Sequence, residues 1–196
     1  QSSMYEFFLF FYFMKSKLLN YIKFKIFDIK FGKNFKVNGS LFLKGKGSIV
    51  VGDNVIINSS YIHNPIGGQT FTSLVVENKA KLHIGNNVGL SNCAIYCSQN
   101  VTINDFVFIG GDCRIYDTDF HSIYIENRKI KPEIGVNCAP VLIKYGAFIG
   151  AGSVILKGVV LGKNCVIAAG SIVSKNIPDN EIWGGNPAKF IKKIEN

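Results

Sequence analysis

Every sixth residue from Ile143 onward is aliphatic: Ile143, Ile149, Ile155, Leu161, Ile167 and Val173. The same register recurs upstream in Ile103, Ile109 and Ile115, in Ile84 and Leu90, in Val51 and Ile57, and in Phe31, Val37 and Leu43. The residue that follows is often small or turn-forming: Gly52, Gly85, Gly110, Gly150, Gly162 and Ala168. Two positions later stands Asn, Asp or Gly: Asn54, Asn87, Asp112, Gly152, Asn164 and Gly170. A helix repeats at about 3.6 residues and a half-exposed strand at about 2, so a period of six is neither. It predicts a short strand followed by a corner. Three such sides make a triangular coil, and the coils stack at the sheet spacing of about 4.8 Å. The aliphatic residue points inward on each side, and Gly or Asn accepts the positive φ of the corner. One coil cannot bury a core alone, so the expected fold is an all-β, parallel β-helix solenoid.

The rhythm breaks twice, at residues 59–73 and 117–140. The predicted organisation is a cap over 4–30, the solenoid over 31–177 with 117–140 as an extruded loop, and a tail over 178–196. Residues 1–3, ahead of Met4, read as a tag-cleavage remnant. The cap opens on YEFFLFFYF and continues as MKSKLLNYIKFKIF. Nine apolar residues are too short for a bilayer, which needs about 20. The stretch has neither the basic start nor the small-residue cleavage site of a signal peptide. It reads either as a helix packed on its own domain or a neighbouring subunit, or as an anchor on anionic lipid.

At 196 residues the chain suits one domain with a substantial core. Its apolar fraction of 47% argues against disorder. The net charge of +9 points to an anionic partner: a phosphate-rich ligand, a membrane surface or nucleic acid. The lysines are scattered and no nucleic-acid motif appears, so no nucleic-acid partner is expected. The five cysteines show neither CxxC pairs nor zinc-finger spacing, and read as small buried residues in a reducing cytoplasm.

Two segments carry a resemblance. IGAGSVILKGVVLGKNCVIAAGSIVSKNIPDNEIWGGNPAKFIKKI resembles the C-terminal half of hexapeptide-repeat acyltransferases, and GGDCRIYDTDFHS resembles the active-site segment of their sugar and polysaccharide O-acetyltransferase branch. The resemblance implies a left-handed β-helix and a homotrimer with each acetyl-CoA site in a cleft between subunits. It also implies acetyl transfer from acetyl-CoA, with no metal, to a saccharide acceptor, in cell-surface polysaccharide biosynthesis. Its setting is the cytoplasm or the inner face of the membrane.

In that setting His121 matches the general base. Imidazole, with a reference pKa of about 6.5, is neutral enough to take a hydroxyl proton. Asp119 or Asp117 is expected to orient it or hold the acceptor. On the donor side the resemblance places Ala151 and Ala169 along the pantetheine arm and matches Ser174 and Lys175 to a polar pair. Lys189 and Lys192 fall at tail positions facing the phosphates. On the acceptor side it points to Asn92, and Arg128 lies where an anionic acceptor would be met. His63 and His83 read as surface or packing residues, and Trp183 as a cover for adenine or an anchor for the tail.

Three rivals follow from the same residues. A zinc-dependent carbonic anhydrase needs three converging histidines, two of them in an H-x4-H pairing, but the positions five from His121 hold Tyr116 and Glu126. An N-acyltransferase acting on an amino-sugar nucleotide shares donor, base and fold, and is the runner-up. A non-catalytic scaffold leaves DTDFH without a purpose.

Overall fold

The computed structural model describes residues 2–195, and its strands form three parallel sheets. Sheet I runs Lys30–Phe31, Ser48–Val51, Lys81–Ile84, Asn100–Ile103, Val141–Ile143, Val160–Leu161. Sheet II runs Lys36–Gly39, Ile56–Ser59, Gly89–Ser91, Phe108–Ile109, Phe148–Ile149, Val166–Ile167 and is extended by Glu181–Gly184 and Lys189–Lys193. Sheet III runs Phe42–Gly45, Ser73–Val76, Ala94–Cys97, Arg114–Tyr116, Val154–Ile155, Ile172–Val173. The chain visits I, II and III in turn, so each pass is one coil of a three-sided prism.

The six residues from Ile143 to Val173 stack inward and are fully buried. All six residues expected at positive φ have it, from 52° at Asn164 to 72° at Gly152 and Gly170. Along the I/II edge this conformation builds asparagine ladders. Asn34 donates to Asn54 at 2.9 Å, Asn54 to Asn87 at 3.2 Å, and Asn164 to Asn180 at 3.1 Å. Phe106 occupies the next ladder position at φ +58°, stacked on Tyr145.

Two expectations shift. Phe31 keeps the register, opposite Val51, but is 51% exposed because its strand ends the sheet and only Phe24 and Phe35 flank it. The tail is not separate from the solenoid. Glu181–Gly184 pairs parallel with Val166–Ile167, and Lys189–Lys193 folds back antiparallel on it.

Helix α1 (Ser2–Ile26) covers the first coil. Gln1 lies outside the described residues, and Ser2 and Ser3 already belong to α1. No helix among the described residues is long and apolar enough to cross a membrane. The two interruptions leave from different edges. Residues 59–73 bulge from the II/III edge, and 117–140, which carries α2 (Ile125–Lys129), bulges from the III/I edge.

Candidate active site

The strand Arg114–Tyr116 delivers the chain to the III/I edge, where Asp117 turns it outward. Asp117 is fully buried, and its carboxylate accepts the backbone N–H groups of Ser98, Gln99 and Asn100 at 2.6–2.9 Å. Those three bonds lock the corner one coil below. Thr118 bridges Cys138 and closes the loop at its root. Phe120 then adopts φ +63°, an outlier for a bulky residue, with its ring wedged against Tyr96 and Tyr116. This kink presents His121 at the rim, with its side chain 72% exposed.

His121 Nδ1 lies 2.9 Å from Glu133 Oε2, and the other Glu133 oxygen accepts the Ser122 N–H at 2.6 Å. These two contacts hold the Glu133 carboxyl below its ordinary pKa, the His121 hydrogen bond being the larger cause. An ionised carboxylate only accepts, so a proton sits on Nδ1 and Nε2 faces away from Glu133. In a neutral imidazole that arrangement leaves the Nε2 lone pair to a general base.

Neither predicted aspartate brings its carboxylate to the His121 ring. Asp117 is spent on the corner, and Asp119 pairs through Oδ1 with Lys157 at 3.0 Å. Asp119 touches His121 only through its backbone carbonyl, which accepts the His121 N–H. The carboxylate that meets the imidazole is Glu133, twelve residues downstream across the loop. Its sequence signal is weak: a lone acid in KPEIG with no fixed spacing to the histidine. Arg128 donates to the Ser122 carbonyl and so braces α2 against the residue beside His121.

The cofactor candidates divide between edges. Ala151 and Ala169 stack at the II/III edge, where the Gly152 N–H donates to Gly111 and the Gly170 N–H to Ala151. The coils press together there. A methyl on Gly110 would stand 2.7 Å from Ala151 N, and one on Gly150 2.5 Å from Ala169 N. The surface is backbone and methyl, which suits a thin extended chain such as a pantetheine arm. Ser174 and Lys175 follow Ile172–Val173 at the III/I edge, in the column of Asp117 and Lys157. Lys189 and Lys192 are exposed on the closing strand of sheet II. One side of the prism, six residues and on the order of 20 Å, separates His121 from the Ala151 corner of its own chain.

Asn92 shares that corner column but is 1% exposed. Its Nδ2 donates to the Asn64 carbonyl at 3.1 Å, clamping the 59–73 loop. Among the described residues its Oδ1 is the one buried side-chain oxygen or nitrogen without a partner. In this structure Asn92 places a loop, and its side chain lies beneath the surface. The other histidines stand apart: His83 on sheet I, and His63 in the 59–73 loop, where Ser60 Oγ lies 2.7 Å from its Nδ1. Trp183 donates to Glu181 and packs on Phe190 in the closing hairpin.

Residues 140–175 match the family profile described as the hexapeptide repeat of succinyl-transferase. That stretch carries the hexapeptide repeat of that family. The coil is the left-handed β-helix of that family. Galactoside O-acetyltransferase of Lactococcus lactis is 30% identical over 145 residues, covering 74% of this chain and 62% of that protein. The Escherichia coli enzyme of the same name is 36% identical over 116 residues, covering 59% and 55%. The chain therefore spans little more than half the length of these curated relatives. Among solved structures, a mutant of the N-acyltransferase AntD from Bacillus cereus aligns with a TM-score of 0.72. It is 23% identical and covers 90% of this chain and 89% of that one; it was solved with dTDP-4-amino-4,6-dideoxyglucose and coenzyme A.

Proposed function

We propose that this hexapeptide-repeat protein is an acetyl-CoA-dependent O-acetyltransferase that modifies a saccharide hydroxyl in cell-surface polysaccharide biosynthesis. It works as a homotrimer in the cytoplasm, at the inner face of the membrane. The observation that carries the reading is the His121–Glu133 pair, which leaves Nε2 bare on a kinked loop rim. His121 takes the hydroxyl proton as the oxygen attacks the thioester carbonyl, and returns it to the departing thiolate. Glu133 holds the imidazolium that forms in between. Acetyl-CoA supplies the activated acyl group, and the Ala151–Ala169 corner is narrow enough to hold its arm.

The separation of His121 from that corner supports a shared site. Sheet II carries an exposed apolar stripe, Ile56, Phe108 and Phe148, continued at the I/II edge by Phe106 and Tyr145. Burying that edge on a three-fold axis turns sheet I of one copy toward sheet II of the next. The III/I edge of the first copy then faces the II/III edge of the second across an open wedge. That geometry sets His121, Ser174 and Lys175 of one copy opposite Ala151 and Ala169 of its neighbour. The two extruded loops project into these wedges. The exposed tip of the 117–140 loop, Ile123, Tyr124 and Ile125, suits contact with that neighbour.

An amino-sugar acceptor would use the same donor and base, so transfer is tested on hydroxyl and amino sugars together, reading released thiol. His121→Ala is expected to lower turnover by roughly 10²–10⁴-fold with acetyl-CoA affinity unchanged. Near-normal turnover in that variant removes His121 from its role.

A further inference from the structure

Helix α1 is built inside out. The side that meets the solenoid is polar in its middle: Ser16 and Asn20 are buried there. Asn20 Nδ2 donates to the Gly39 carbonyl at 2.8 Å, and its Oδ1 accepts the Leu41 N–H at 3.1 Å. Lys23 Nζ donates to the Leu41 carbonyl at 2.7 Å. The outward side is apolar. Phe8 is 66% exposed, Phe10 58%, Leu18 61% and Ile26 72%. A helix lying on a water-soluble domain shows the reverse, with the apolar stripe inward and polar residues outward. Here the fold satisfies the polar positions with specific backbone partners. Phe13 meets His63 and Phe24 packs on the core, while the remaining phenylalanines of α1 (Phe7, Phe8, Phe10 and Phe11) face out.

The charge of the protein is concentrated on the same end. Between residues 15 and 46 lie nine lysines and one acid, Asp28, so this stretch holds eight of the nine net positive charges. Lys15, Lys17 and Lys25 stand on the outward part of α1 itself, and Lys30, Lys33, Lys36, Lys44 and Lys46 surround it on the first coils. Aromatic side chains ringed by lysines fit a bilayer interface. The rings enter the headgroup–acyl boundary, and the ammonium groups meet the phosphates. A second copy related by a two-fold axis would instead set these lysines against their own equivalents.

We propose that α1 docks the first coil of the solenoid onto an anionic lipid surface, lying in the interface plane because its inner side is held by the solenoid. The inference deepens the placement at the inner face of the membrane, on which it rests, and says which end of the molecule makes the contact.

The test is flotation of the full chain with vesicles of phosphatidylcholine, with and without phosphatidylglycerol. Binding to the anionic vesicles is expected to be at least about 10-fold stronger, and to weaken as salt screens the lysines. The double variant Phe8→Asp/Phe11→Asp should lose about 10-fold or more of that binding, and Lys15→Glu/Lys17→Glu should erase the preference for anionic lipid. Equal binding to both vesicles, or unchanged binding by the aromatic variant, overturns the proposal. A change in particle mass for that variant without lipid also overturns it, since α1 would then pack between copies. Titration with acetyl-CoA separates the two readings. Variants that lose lipid but keep acetyl-CoA support the anchor. Wild type that binds lipid but not acetyl-CoA keeps the anchor and ends the transferase reading.

Discussion

Beside His121 two contacts, Glu133 Oε2 with the ring and Glu133 Oε1 with the Ser122 N–H, stand where sequence reading expects an aspartate. Glu133→Gln preserves the shape but offers an amide that can donate to Nδ1 and stabilise the wrong tautomer. Turnover should fall by about 10-fold or more, short of the roughly 10⁴-fold known for a buried triad carboxylate, while acetyl-CoA affinity holds. Unchanged turnover would reduce Glu133 to a loop brace. The pH dependence has a defined sign. Glu133 titrates lower in the folded protein than its ordinary 4.5. Its hold on the loop is therefore fully present above that value and is lost as pH falls through the depressed one. Proteolysis within residues 120–137 should be flat from pH 5 to 8 and accelerate only in stronger acid; acceleration near neutrality would contradict this. DTDFH made His121 legible because a histidine beside acids at a break in the hexads is locally conspicuous. Glu133 was not legible, because its link to His121 exists only once the loop closes through Thr118 and Cys138. Proximity in sequence misled at Asp117, whose carboxylate belongs to a turn made of residues 98–100.

The strands were legible because each brings an inward residue to the same hexad position, and six such positions in succession leave little else for a chain to do. The corners were legible for the same reason, since positive φ selects Asn and Gly. Burial makes the effect of substitution uneven along the register. Ile155→Ala removes side-chain volume from the closed middle of the stack and should cost about 2–5 kcal/mol in denaturant unfolding. Phe31→Ala, in the same register but half open at the end strand, should cost clearly less. Equal losses would mean that the stack does not bury its middle better than its end. The orientation of helix α1 was not legible, because the usual pattern points aromatic residues inward, whereas Asn20 and Lys23 turn most of them outward through the backbone of residues 39–41.

In the whole molecule, one prism holds every chemical part of the proposed site without bringing them together. In the proposed trimer the exposed stripe Phe106, Phe108, Tyr145 and Phe148 is the buried edge, and that choice decides which edges face each other. Phe108→Asp/Phe148→Asp should yield folded monomers by sedimentation equilibrium with unchanged circular dichroism, and should abolish transfer; trimers of full activity would move the axis to another edge. No single-chain pattern in the sequence specifies this assembly, since the stripe is dispersed over hexads and appears only when coils stack. The claim beneath all of this is that the molecule binds acetyl-CoA in a cleft shared by two copies. Calorimetric titration of the purified protein with acetyl-CoA tests it without any knowledge of the acceptor. The account predicts saturable binding at one site per chain, weakened about 10-fold or more by Ala169→Trp, which fills the narrow corner, and lost in the monomeric variant. Absence of binding at millimolar acetyl-CoA, in protein shown to be folded and trimeric, would contradict it.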